Sequence, residues 1–162
     1  MRVCQNIPRR RAHCFITFSC YGAHLHGAEP GSVDRRHNLY EGRLVEPDPG
    51  HELMVRQHLL QTPYQLDPES RIVVLAALRE ACSYRSWELL TAHVRTNDVH
   101  TVVQAEAEPE RVLHALKAYA SRALNRLGRD EPNRKRWARH GRTRWLWKRE
   151  DVPDAVEYVV AR

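Results

Sequence analysis

The chain contains no run of about 18 consecutive apolar residues, so no helix of it is expected to span a membrane. It has no C-x-x-C pair among its four cysteines, Cys4, Cys14, Cys20 and Cys82, which removes zinc-ribbon spacing. The expectation for those four is free thiols in a reducing cytosol. Internal repeats and low-complexity tracts are missing as well. Basic residues precede the apolar stretch CFITFSCYG near the N-terminus, but that stretch is short, polar and alternating. It reads as a strand and not as a signal-peptide core. The expected location is therefore cytoplasmic.

What is present is positive charge. The 162 residues carry a formal charge of +6, with a pI near 9.5. A net charge alone is weak evidence for a polyanionic partner, but this charge is concentrated. The stretch NRKRWARHGRTRWLWKR, 133–149, combines Arg and Lys with Trp137, Trp145 and Trp147. Cations neutralise phosphates and indole rings stack on bases, the two needs of a single-strand binding surface. The candidate DNA contacts are Arg134, Lys135, Arg136, Arg139, Arg142, Arg144, Trp145 and Lys148. The alternative is that the tryptophans face the core from a strand and the arginines form a solvated face.

The pattern along the chain predicts one domain over 1–162, with a long irregular excursion at about 22–67 that includes a short helical stretch around Glu52 to Leu60. Residues Cys14 to Tyr21 read as a strand. Asp67 can cap a helix that Pro68 begins, with Ile72, Leu75, Leu78 and Cys82 at helical spacing. Trp87 to Val94 and Val99 to Ala105 read as strands of a hairpin that turns at Thr96-Asn97. Pro109 opens another helix, striped by Val112, Leu116, Ala120, Ala123 and Leu127 and ended by Gly128. A short strand at Arg144 to Trp147 and a last helix from Asp151 follow. This order predicts an α+β fold: a ferredoxin-like antiparallel sheet with helices packed on it.

Two features carry chemistry. Side chains two apart on a strand share a face, so Asp98 and His100 project together beside the hairpin turn. A carboxylate and an imidazole placed so can share one divalent cation; the alternative is a polar surface pair. On the last helix Val152, Val156, Val159 and Val160 form an apolar stripe, and Tyr158 lies nearly opposite it, on the face of Asp154. Such a tyrosine is exposed or faces something polar.

Taken in order, CFITFSCYGAHLHG, SVDRRHN, TNDVHTVV, LKAYASRALNR, WARHGRTRWLW and DAVEYVV resemble the single-tyrosine HUH (His-hydrophobic-His) transposases of small insertion sequences and the REP-associated tyrosine transposases. The likeness runs over most of the chain. It implies a DNA transposase, a single-strand nuclease and ligase that needs Mg or Mn and works as a dimer on single-stranded or hairpin DNA. In that chemistry a metal polarises the scissile phosphate and a tyrosine attacks phosphorus, leaving a 5′-phosphotyrosine and a 3′-OH. By this resemblance Tyr158 is the nucleophile and His100 the second His of the metal motif. Asp98 stands where the family has the first His, and hard cations accept carboxylate oxygen. The further ligand of the relatives, commonly Gln about one turn after the tyrosine, would fall near Arg162.

The sequence leaves competitors open. His24 and His26 form the only literal His-x-His but lie in a Gly-rich stretch after the first strand. Tyr119 is the other candidate nucleophile, although it flanks an apolar stripe. His93 either packs or approaches the site across the hairpin. At the level of function, a domesticated or decayed transposase that binds nucleic acid without cleaving it is the main alternative, and a replication or mobilisation relaxase a third.

Overall fold

Alternation of large apolar residues with polar ones sets the first strand, β1 (Ala12–Ser19). Cys14, Ile16, Phe18 and, just beyond the strand, Cys20 are all buried on one face. A computed structural model describes residues 11–23 and 48–161 of the chain. The order of elements is β1, α1 (Pro49–Gln57), α2 (Pro68–Tyr84), β2 (Glu88–Val94), β3 (Asp98–Ala105), α3 (Pro109–Leu127), β4 (Arg142–Leu146) and α4 (Asp151–Val160). The strands form one sheet in the order β2-β3-β1-β4, and every neighbouring pair is antiparallel. That is the expected α+β arrangement, a four-stranded antiparallel sheet with helices packed on it. No helix among the described residues is long and apolar enough to cross a membrane.

The helices divide between the faces. α2 and α3 pack on each other, α2 against β2 and α3 against β1 and β4. They cover Cys14, Ile16, Phe18, Val99 and Val103 to make the main core. α4 packs against β2 and β3, over a smaller cluster of Phe15, Val102, Leu146 and Val159. The parity of each strand therefore decides which layer a side chain enters. Phe18 is 1% exposed and meets the edge of the Trp137 ring at 5.0 Å. Phe18→Ala is expected to destabilise the fold by about 3–5 kcal/mol, read as a lowered denaturant midpoint with an unchanged slope.

Local signals account for the helix boundaries. The Asp67 carboxylate accepts from the Ser70 N–H at 2.7 Å, so α2 begins where capping predicts. Gly128 ends α3 with φ +70, a left-handed conformation that suits glycine. Gly141 serves another need: a Cβ there would lie 2.8 Å from the Thr17 carbonyl oxygen and 2.9 Å from a Leu113 methyl. The chain entering β4 passes too close to β1 for a side chain.

Several details depart from the sequence reading. Ile72 is 69% exposed, and α2 buries Val74, Ala77, Leu78, Ala81 and Cys82. Of the expected stripe, Leu78 and Cys82 are buried and Leu75 packs against the core, and Ile72 alone falls outside it. Val160 is 71% exposed, while Val159 alone in α4 is fully buried. The helical part of the excursion is Pro49–Gln57, three residues earlier than expected, since Asp48 caps it through the Gly50 and His51 N–H groups. Residues 24–47 of the excursion, with His24 and His26, lie outside the described residues, as do Cys4 and Arg162. Cys14, Cys20 and Cys82 are buried and not in disulfides. Burial pushes the Cys14 and Cys20 thiols up to about 12 and Cys82 to about 11. They are packing residues with little thiolate character.

Candidate active site

Strand register builds the site. Cross-strand partners share a face, and one row runs His93 on β2, His100 on β3, Thr17 on β1 and Arg142 on β4. The next row brings Val102, Phe15 and Arg144 together. Asp98 stands one step beyond His100 at the hairpin end, opposite Ser19. Since Phe15, Val102 and Leu146 pack under α4, strand alternation puts Asp98, His100, Thr17, Arg142 and Arg144 on that same face.

Asp98 and His100 are 6% and 7% exposed. Asp98 Oδ1 lies 3.2 Å from His100 Nε2, though the two are not aligned as a hydrogen bond. The Arg95 guanidinium approaches the same carboxylate oxygen at 3.7 Å, from the other side of a turn closed by the Arg95 N–H donating to the Asp98 carbonyl. At the opposite edge of the imidazole, His100 Nδ1 is 3.0 Å from Thr17 Oγ1. The Phe15 ring lies nearly parallel to the imidazole, at 11° and 6.3 Å.

Tyr158 reaches this group from α4. Its ring stands edge-on to His100, with centroids 6.2 Å apart, and edge-on to Phe15 at 5.8 Å. It is 36% exposed, so it is neither buried in the core nor a remote surface residue. A pocket beside it is lined by Phe15, Arg144, Leu146, Asp151, Asp154 and Ala155. A tyrosine hydroxyl, an N/O donor pair and arginines on one face are the parts for chemistry on a phosphodiester.

The other candidates fall elsewhere. Tyr119 is on α3, in the layer on the far side of the sheet, where it meets Tyr84 and lies under Arg122. His93 faces the site in the His100 row, and its Nδ1 is buried with no hydrogen-bond partner among the described residues. Among the described residues no group of three or more His, Cys, Asp or Glu gathers in metal-binding geometry; Asp98 and His100 supply two.

The basic segment divides in three. Arg142 and Arg144 line the tyrosine face. Trp145, the partner of Cys14 in register, points to the opposite face, where it packs against the main core. It also stacks on Trp147 at 5.0 Å, and Trp147 is 75% exposed. Two of the remaining arginines are held by the fold. Arg136 corrects the sequence reading: it is buried, pairing with Asp130 at 2.6 Å and Asn125 at 2.7 Å, so its guanidinium is engaged inside the molecule and not offered to phosphate. Arg134 is likewise engaged, donating to the Gln61 side chain and to the Thr62 and Pro63 carbonyls. Lys135, Arg139 and Lys148 are exposed at the surface. Lys117 donates to the Ala138 and His140 carbonyls, which pins the approach to β4; burial lowers its amine to about 8.

Thr17 and Phe15 are site residues that the sequence reading did not single out. Alternation along β1 puts them on one face, but only register sets them against His100.

No family model matches the sequence, and no curated protein does. Among solved structures, a REP-associated tyrosine transposase bound to a REP hairpin is similar, with 11% identity and a TM-score of 0.49. The alignment covers 91% of this chain and 64% of that one, so this chain spans less than two thirds of that protein's length.

Proposed function

We propose that this chain is a transposase-type enzyme that cuts and rejoins single-stranded DNA through Tyr158, with Mg or Mn held by Asp98 and His100. The observation that carries this reading is the approach of Tyr158 to the buried Asp98–His100 pair, on a sheet face that also presents Arg142 and Arg144. The donor set fits a hard cation. Asp98 Oδ1 and His100 Nε2, 3.2 Å apart and on buried side chains, would hold the ion, a carboxylate oxygen and an imidazole nitrogen that hard divalent cations accept. His100 Nε2 has no hydrogen-bond partner among the described residues.

The bound cation would polarise the scissile phosphate. Tyr158 then supplies the nucleophile: its oxygen bonds to phosphorus, the P–O3′ bond breaks, and the departing oxygen takes a proton to become the 3′-OH. Arg144, beside Tyr158, and Arg142, one step along β4, hold the non-bridging oxygens and offset the charge that gathers on them. The phosphotyrosine keeps the energy of the phosphodiester, so attack by another 3′-OH rejoins DNA without ATP. Two copies acting together on hairpin DNA ends belong to the same proposal.

A second reading is a nucleic-acid-binding descendant without cleavage. It is favoured by Arg95, which already engages the Asp98 carboxylate, and by the gathering of just two metal-type donors among the described residues. Incubation of the protein with labelled single-stranded DNA from the flanks of its own gene, with manganese, separates the two. The enzyme yields a covalent adduct on a denaturing gel; the binding protein yields a retarded band on a native gel and no adduct.

The arginines give a prediction that holds for both readings. Affinity for single-stranded DNA should fall steeply with salt. Arg142→Ala with Arg144→Ala should reduce the log–log slope by about 1.4, at roughly 0.7 for each phosphate no longer neutralised. An unchanged slope would remove these two residues from the DNA surface.

A further inference from the structure

Among the described residues, Thr17 is the one side chain hydrogen-bonded to the Nδ1 edge of His100, at 3.0 Å, and it is held there as the register partner of His100 across β1 and β3. The geometry points to Thr17 as a positioning residue whose hydroxyl lets His100 exchange tautomers when a divalent cation enters beside Asp98. The inference rests on the cation reading above.

A neutral imidazole has one N–H and one lone pair, and a cation takes the lone pair. Without the cation, Nε2 faces the Asp98 carboxylate oxygen at 3.2 Å. That negative charge favours the hydrogen on Nε2, and the Thr17 O–H then donates to Nδ1. With the cation on Nε2, the hydrogen must sit on Nδ1 and Thr17 Oγ1 must accept it. A carboxylate or a carbonyl at this place could only accept, and a backbone N–H could only donate. A hydroxyl does both, so it serves each state without moving. Burial of His100 limits replacement by water, and the nearly parallel Phe15 ring holds the imidazole plane while the hydrogen changes sides. Metal-bound histidines are generally oriented by a partner on the other ring nitrogen, and loss of that partner weakens metal binding. Here the partner is on a different strand from both ligands, so the β1–β3 register itself tunes the site.

Protein labelled with 15N at histidine tests this, with long-range 1H–15N correlation reading the His100 tautomer and magnesium as the titrant. The expected wild-type result is Nε2–H without magnesium and Nδ1–H at saturation. Thr17→Val keeps the β-branched shape and removes the hydroxyl; it should bind magnesium about 10- to 100-fold more weakly. Thr17→Ser should restore the affinity, and thermal melts of all three proteins verify that they fold. A wild type that already carries Nδ1–H without magnesium overturns the tautomer exchange. A Thr17→Val protein with wild-type affinity and the wild-type exchange overturns the role of Thr17 while leaving the cation site standing. A wild type whose His100 signals ignore magnesium overturns the cation reading and this inference together.

Discussion

Tyr158→Phe is expected to abolish the covalent protein–DNA adduct, a loss on the order of a thousandfold or more, while single-stranded DNA binding stays near wild type. The change removes one oxygen and leaves the ring, whose edge contacts with Phe15 and His100 hold that end of α4 on the sheet. Stability should therefore change little, and a melting curve serves as the control. The assay is a denaturing gel of labelled DNA beside a filter-binding isotherm for each protein. An adduct that survives in Tyr158→Phe assigns the nucleophile to another residue. Tyr119 would be the next to replace, although the sheet separates it from His100 and such a result would require a site on the other face.

The second large effect lies at Asp98 and His100, the pair proposed to hold the cation. Asp98→Ala and His100→Ala should each lower cleavage by about 10²- to 10³-fold, because the scissile phosphate loses several kcal/mol of charge stabilisation. Asp98→His is the informative substitution. It places a second imidazole beside His100 and removes the carboxylate that Arg95 engages. Cleavage in that variant should equal or exceed the wild type. If the proposed cation site holds, dependence on manganese or magnesium should be strongest in the wild type, since a mixed oxygen and nitrogen donor set favours hard cations. If the wild type forms no adduct and Asp98→His forms one, the chain is a decayed enzyme whose loss is traced to a single ligand. If neither forms one, the catalytic proposal fails and the binding reading stands. Each outcome is read with the same labelled strand.

Local physics made much of this molecule legible in one dimension. Asp67 and Pro68 start α2, Gly128 ends α3, and the Thr96-Asn97 turn sets the β2–β3 hairpin, because caps and turns depend on residues within a few positions of one another. Period-two alternation placed Asp98 with His100, and helical periodicity placed Tyr158 off the apolar stripe of α4, since both arguments need only the geometry of a single element. What required the tertiary structure was every relation between elements. Ile72 reads as core by spacing yet is exposed, because the face that α2 buries against the sheet and α3 is centred on Val74, Ala77, Leu78 and Ala81. Arg136 reads as a surface cation yet is buried, because Asn125 and Asp130 come to it from the preceding helix and loop. Trp145 and Arg144 are adjacent in sequence but serve opposite faces of the sheet, a separation with little meaning until β4 is paired to β1. Thr17 was invisible as a site residue for the same reason. Its meeting with His100 depends on the register between strands far apart in the chain, which is set by the burial of Phe18 and Val99 under the helices and not by any local signal near Thr17.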